Sequence, residues 1–474
     1  MKFFYCASEV HPFVKTGGLA DVMAALPKAI KKSYDKIYVV LPLYGHIEER
    51  FRREMEYIGY DYVKMHADRI YMGVFHLREA GVDYYFIDNE SFFRRTALYG
   101  YEDDGYRFAF FSKACASLIR YLEIEPDIVH ANDWHTGLVP LYIKDFAAGD
   151  ARYRKIRTIF TIHNINYQGY FGADVFRYTD LHSRYFTEEG VRFYDGINMM
   201  KAGIQFADGV TTVSETYARE LRDPFYGKEL AGLIEYQKEK VYGIQNGIDT
   251  DEYDPEHDPL LAANYGPDSL DKKIENKRDV QKRYGLPERD VPLFTVISRL
   301  DPLKGMDLIL EILDKFLDED VQFLVLGTGE ERIQWSFRSI CERRENASAN
   351  IFFDNDESHR IYAAGDFFLV PSVTEPSGLS QMVAMTYGNI PIVRATGGLK
   401  DTVVPFDEAG RGGGYVFYDI DAHALLAAMQ KAKDEYYAPI DRIHRQSAMR
   451  QGFGWQRAAN AYRELYKEIR RKTR

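Results

Sequence analysis

Apolar residues in this chain fall into short runs that alternate with longer stretches in which they recur at helical spacing. Such alternation predicts parallel α/β layers, with strands buried on both faces and helices covering them. In the first half, residues 2–7 read as a strand, 19–32 as a helix and 36–41 as the next strand. A less regular stretch follows, in which 71–77 and 83–87 read as an antiparallel pair. The alternation then resumes. Strand 127–130 leads into a helix over 136–146, strand 158–163 runs into an irregular loop, and strand 209–213 precedes a helix capped by Ser214. In the second half the strands expected are 293–298, 322–326, 351–353, 367–371, 391–394 and 415–417, with helices between them.

The strand 241–245 ends at Asn246-Gly247, a turn signal, and residues 250–290 then turn polar without sustained apolar periodicity. This places a domain boundary there. The expected organisation is an N-terminal Rossmann-like domain over 1–243, a C-terminal one over 244–450, and a terminal segment over 451–474. Within that segment Ala458, Ala459, Tyr462, Leu465, Tyr466 and Ile469 share one helical face, which must dock, and the expectation is that it docks back across the domains.

Composition narrows the picture. With 474 residues, 46% apolar and 28% charged, the chain is globular and long enough for two cores. A net charge of −11 argues against nucleic acid and anionic membranes as partners. No apolar run is long enough to span a bilayer, and the apolar N-terminus is too short for a signal segment, so the expected location is cytoplasmic. Cys6, Cys115 and Cys341 stand far apart without metal-ligand spacing, which fits a reducing compartment.

In doubly wound sheets, ligands bind beyond the carboxyl ends of strands, and unusual residues gather in those loops. The loop 9–21 carries Lys15, Gly17 and Gly18 at the start of a helix and ends at Asp21. It reads either as an anion site made by free backbone N–H groups or as a glycine turn with a surface lysine. It contains neither a dinucleotide fingerprint nor a Walker pattern. His130, Asp133 and His135 cluster at a second strand exit, where a metal would need helical geometry that a strand-to-helix junction does not give. His163 and Asn164 follow a third strand, where His163 reads equally as a structural histidine. In the second half, Arg299 and Lys304 place two cations in one loop before a helix, against the dipole preference, and a diphosphate between them would offset that cost. The loop 375–381 combines Glu375 with a proline-fixed turn and small residues, suited to sugar hydroxyls and to close approach of a phosphate. Lys15, Arg299 and Lys304 are thus candidates for a diphosphate, and His163, Asn246 and Glu375 for a sugar. Fixed cations can neutralise a departing phosphate in place of a metal. The Asp-x-Asp triplets at 249–251, 354–356 and 419–421 read as solvated or capping residues, and no metal site is expected.

At these residues the chain resembles bacterial glycogen synthases and plant starch synthases. SEVHPFVKTGGLADV, HANDWHTGLVPLY, TIHNINYQG, NGIDTDEYDP, SRLDPLKGMDLI and EPSGLSQMVAMTYGNIPIVRATGGLKDTV occur in order. The resemblance implies the GT-B fold, with two Rossmann-like domains facing across a cleft. It also implies glucosyl transfer from ADP-glucose, a substrate and not a cofactor, to an α-1,4-glucan such as glycogen or a malto-oligosaccharide, with retention of configuration. It assigns His163, Arg299, Lys304 and Glu375 to catalysis. Lys15, Gly17, Gly18, Asp21, Asn246, Phe353, Ser377, Gly378, Leu379 and Ser380 go to the donor, with Phe353 against the nucleobase and the Ser380 hydroxyl at the phosphate. Tyr99, with Arg94 or Arg95 nearby, and Asp133 fall on the acceptor side. Ser377 stands where the family usually has Cys, and Asn132 where His is commoner. Val383 occupies the position of a second Glu in broader relatives.

Overall fold

The computed structural model describes residues 1–33 and 35–471. They divide into two compact units, Met1–Asn246 together with the segment from Trp455 onward, and Gly247–Gly454.

The first unit is built on β1 (Lys2–Cys6), β2 (Lys36–Pro42), β3 (Glu56–Met65), β4 (Asp68–Glu79), β5 (Val82–Asp88), β6 (Ile128–Asn132) and β7 (Arg157–Ile162). β8 (Tyr170–Gly172), β9 (Arg192–Phe193) and β10 (Gly196–Asn198) make a small separate sheet, and β11 (Gly209–Thr212) and β12 (Val241–Gly243) complete the large one. Its nine strands run β12-β11-β7-β6-β1-β2-β5-β4-β3. Neighbours are parallel from β12 to β5, whereas β4 pairs antiparallel with both β5 and β3. The antiparallel pair expected from the alternation is β4 with β5; the long edge strand β3 had no clear signal because half of its residues face solvent. The order reverses about β1, which has β6 on one side and β2 on the other. That is the switch point where a doubly wound sheet opens a crevice.

Helix Asp104–Tyr121 was not anticipated, and the reason is physical. Its buried residues include Arg107, Phe108, Phe110, Phe111, Ser112, Lys113 and Ala114, which surround the helix, so no apolar stripe marks it. Helix Gln456–Arg471 turns Tyr462, Tyr466 and Ile469, all fully buried, into the first unit's core. The Tyr5 and Tyr466 hydroxyls share a hydrogen bond of 3.0 Å, and the Tyr466 hydroxyl lies 2.8 Å from His130 Nδ1. Arg463 pairs with Asp35, which also takes the N-terminal amine at 2.7 Å. Burial alone would raise Asp35, but these two cations hold it below the ordinary carboxylate range.

The second unit has β13 (Leu293–Ile297), β14 (Gln322–Leu326), β15 (Ala347–Asn350), β16 (Phe367–Val370), β17 (Ile390–Arg394) and β18 (Tyr415–Phe417). They run β15-β14-β13-β16-β17-β18, all parallel, with the switch point between β13 and β16. The strand expected at 351–353 does not form. β14 ends at Leu326, the register partner of Asn350, so the ladder has nothing left to pair with the aromatic run that follows.

The polar stretch after the boundary holds helix Lys273–Arg283, where lysines replace the usual apolar stripe. Lys273 is buried, and its ammonium donates to the carbonyls of Ala363 at 2.6 Å and Tyr387 at 3.1 Å. Those carbonyls close helices Asn355–Ala364 and Ser380–Thr386, so one cation satisfies two helix C-termini. Burial pushes its pKa well down.

Candidate active site

In the first unit, the residues after β1 carry Ser8 and Glu9, both buried. The Glu9 carboxylate accepts from the Thr16 and Gly17 backbone N–H groups and from the Thr16 hydroxyl at 2.7 Å. The loop that opens helix Gly18–Ile30 therefore binds the chain's own anion with its first amides, a use the sequence did not reveal. Gly17 is in extended backbone, and among the described residues beyond its chain neighbours a Cβ there would meet nothing within 4 Å. Its lack of a side chain keeps the approach to the helix start clear. Lys15 and Asp21 form a half-exposed ion pair of 2.7 Å beside it. Tyr99 donates to Glu9 at 2.9 Å, and burial pushes its hydroxyl well above its ordinary pKa. Arg94 and Arg95 are engaged elsewhere, with Glu90 and Asp103. Tyr99 is thus tied to the residues after β1 rather than to those arginines.

Asp133 follows β6 with φ of 55°, a left-handed conformation that costs a non-glycine residue energy. The turn aims its carboxylate at the chain leaving β7, where it accepts from the His163 backbone N–H at 2.8 Å. Burial pushes this carboxyl up to about 7, against the two amides of His163 and Asn164 that lower it.

The tautomer of His163 can be derived. The Asn132 side-chain nitrogen donates to the carbonyls of Cys6 at 3.1 Å and His130 at 3.4 Å, which fixes the amide's orientation. Its oxygen then faces His163 Nε2 at 3.0 Å, so Nε2 carries the proton and Nδ1 keeps its lone pair. Burial lowers this imidazole to about 3, so it is neutral near pH 7. Asn132, notable in the sequence only as a departure from the commoner His, is what orients the ring. His130 and His135 are not a metal pair. His130 lies in the core beside Tyr466 and Thr161, while His135 packs at a tilt against Trp134 and Tyr99 with ring centroids 4.0 and 4.4 Å away.

In the second unit, Lys304 and Glu375 come from loops after β13 and β16, either side of the switch point. They meet in an ion pair of 2.6 Å, with side chains 22% and 9% exposed. The Ser372 hydroxyl donates to the same Glu375 oxygen at 2.9 Å. Asp301 caps the short turn before Lys304 by accepting its N–H at 3.0 Å, and Val373 N–H donates to Leu303 O at 2.9 Å, joining the two loops. Gly305, at φ 72°, lets the chain turn where a Cβ would lie 2.0 Å from Pro371 O. Arg299 stands in the same loop, 3.6 Å from Asp301, with its side chain largely exposed. Where the sequence suggested an anion between two cations, Glu375 is the group that holds Lys304.

Ser377, Gly378, Leu379 and Ser380 lead from Glu375 into helix Ser380–Thr386. Gly397 and Gly398 press on this loop so closely that a Cβ on either would lie 1.9 Å from the carbonyl of Glu375 or Ser377. Phe353 lies in the loop after β15 and is 74% exposed, an aromatic face presented to solvent. Asn246 ends the first unit, buried, and among the described residues its side-chain oxygen has no hydrogen-bond partner. Among the described residues no group of three or more His, Cys, Asp or Glu is placed to hold a metal ion, and no helix is long and apolar enough to cross a membrane. Asp249, Asp354 and Asp421 accept backbone N–H groups of the turns or helices that follow them.

Residues 2–236 match the starch synthase catalytic domain family, and residues 277–448 match glycosyl transferases group 1. The glycogen synthase of Finegoldia magna is 46% identical over 472 residues, which cover 99% of this chain and all of that protein. The chain belongs to the glycogen synthase and starch synthase family. The glycogen synthase of Geobacillus stearothermophilus is 40% identical over 477 residues, covering 100% of this chain and 98% of the relative. The catalytic domain of starch synthase IV from Arabidopsis thaliana, solved bound to ADP and acarbose, superposes with a TM-score of 0.91 at 33% identity over 99% of both chains. This family's two-Rossmann-domain GT-B fold is the architecture of the chain. Sucrose-phosphate synthase from Thermosynechococcus elongatus shares that fold at 16% identity, with a TM-score of 0.59.

Proposed function

We propose that this member of the glycogen synthase family transfers glucose from ADP-glucose to the non-reducing end of an α-1,4-glucan with retention of configuration. The observation that carries the reading is the Lys304–Glu375 pair, 2.6 Å apart at the second unit's switch point. It occurs in a chain 46% identical over its full length to a glycogen synthase. A glucosyl diphosphate needs its leaving oxygens neutralised as the glycosidic bond breaks, and Lys304 and Arg299 supply fixed charge for that step. Glu375, shared between Lys304 and Ser372, offers carboxylate lone pairs to sugar hydroxyls. Gly378 and Ser380 let the diphosphate come close to the backbone, and the exposed ring of Phe353 takes the nucleobase.

From the first unit, Lys15 and Asp21 contribute to the donor beside Gly17 and Gly18. His163 presents a neutral Nδ1 lone pair to a glucosyl hydroxyl, and Asn246 offers its buried side-chain oxygen. Tyr99 and Asp133 serve the glucan acceptor. In this scheme the acceptor hydroxyl attacks from the face the diphosphate leaves, and a leaving phosphate oxygen takes its proton, which yields retention. The protein's share is charge stabilisation and positioning. The test is ¹H NMR of a malto-oligosaccharide extended by the purified chain from ADP-glucose. An α-configured anomeric signal on a product one glucose longer is the expected result; a β signal, or hydrolysis without extension, would refute the reading.

A further inference from the structure

We infer that Arg394 is a positioning residue for glucosyl transfer, a buried guanidinium at the end of β17 that sets where Glu375 and, through it, Lys304 stand. The inference rests on the function proposed above. Arg394 is 4% exposed. Its Nε donates to Ser372 O at 2.8 Å, Nη2 to Val373 O at 2.5 Å and Nη1 to Tyr418 O at 3.4 Å. It therefore ties together the chain leaving three neighbouring strands, β16, β17 and β18.

The geometry requires arginine. Three carbonyls around one rigid planar fork are met by donors diverging from a single centre, and a lysine ammonium on a flexible stem cannot reproduce that spread. From Arg394 the line to the reacting groups is short. Ser372 accepts from Arg394 with its carbonyl and donates with its hydroxyl to Glu375 Oε2 at 2.9 Å, and that oxygen also holds Lys304 at 2.6 Å. Val373, the second residue held, donates its N–H to Leu303 O at 2.9 Å, next to Lys304. Both loops of the pair thus register on one side chain.

Charge points the same way. Among the described residues no carboxylate stands within ion-pair distance of Arg394, although it is buried. A buried cation balanced only by carbonyl dipoles is costly. A polyanionic substrate bound at the neighbouring loops would repay part of that cost, which distinguishes Arg394 from Arg445, a buried arginine paired with Asp441 at 2.7 Å.

The experiment measures kcat and donor KM on the full chain with ADP-glucose and saturating glycogen, with melting temperature alongside, for Arg394→Met, Arg394→Lys, Ser372→Ala and Lys304→Ala. Misplacement of reacting groups by about 1 Å costs on the order of a hundredfold. Arg394→Met should therefore lose about that much in kcat, and Arg394→Lys, which keeps the charge, about tenfold, with donor KM changing far less. Adding Ser372→Ala to Arg394→Lys should cost much less than Ser372→Ala alone, because the two act through one contact. Should Arg394→Met not fold, Arg394→Lys and its double variant decide the matter. A kcat for Arg394→Lys at the wild-type value, with only the melting temperature lowered or only donor KM raised, would overturn the inference. Lys304→Ala separates the two claims. If it loses kcat while Arg394→Lys does not, only the positioning role falls; if Lys304→Ala keeps wild-type kcat, the proposed site itself is wrong.

Discussion

Replacing Lys304 by alanine removes the ammonium that bridges Glu375 and the proposed leaving group. The pair is 2.6 Å long, and both side chains are largely shielded from solvent, so the charge acts in a medium less polar than water. Two unit charges about 4 Å apart interact by about 4 kcal/mol at an effective dielectric of 20, which sets the scale for what Lys304 contributes to a developing diphosphate charge. Deleting one preorganised oxyanion donor in other enzymes costs about 3 kcal/mol, of the same order and equal to roughly a hundredfold in rate. The charge on the leaving group grows only as the bond breaks, so the loss belongs to kcat, while donor KM should move by less than about fivefold. Lys304→Gln keeps most of the length and a hydrogen-bond donor for Glu375 but no charge, and should recover little. The assay is initial-rate glucan elongation over a range of donor concentrations. A variant that changes only donor KM would show that Lys304 binds ground and transition states alike, and substantial rescue by Gln would show that it positions rather than neutralises.

Asp133, whose burial lifts its carboxyl to about 7, favours the folded state in its protonated form. That stability is fully present below about pH 4, the unfolded value, and is lost as pH rises through about 7. Asp133→Asn keeps an acceptor for the His163 N–H, tolerates positive φ and cannot ionise. It should therefore match the wild type in melting temperature at pH 4 and exceed it at pH 8, by at most ~4 kcal/mol in stability; parallel curves over that range would contradict the assignment. Gly397 has φ of 45°, and a Cβ there would lie 1.9 Å from Glu375 O, so Gly397→Ala should lower both the melting temperature and kcat, and wild-type values for both would refute the packing argument. Truncation before Trp455 removes Tyr462, Leu465, Tyr466 and Ile469 from the core at ~1.5–3 kcal/mol each, comparable to the whole stability of a typical domain, and should leave an insoluble or molten chain; unchanged melting would contradict it.

What the sequence disclosed follows from which forces leave a periodic mark. Strands buried on both faces announced themselves as apolar runs, and the loops after β13 and β16 as cations and small residues at strand exits. Helix Asp104–Tyr121 left no mark because it is surrounded by protein, and Lys273–Arg283 because its buried lysines bond to carbonyls. The aromatic run at 351–353 read as a strand since β-propensity carries no knowledge of where its partner ends. Lys304 and Glu375 were legible as chemistry but not as a pair, being 71 residues apart. The roles of Glu9, Asn132 and Arg394 were hidden for a related reason. Each acts through backbone groups or another side chain, and such contacts exist only once distant loops meet.

The most direct test of the account compares initial rates of glycogen elongation by the purified chain with ADP-glucose and with UDP-glucose, side by side at equal concentrations. Incorporated glucose is measured after precipitation of the glucan. Incorporation from ADP-glucose well above that from UDP-glucose, dependent on added glycogen, is the predicted result. No incorporation from either donor, or transfer only to a small acceptor, would contradict the proposed function.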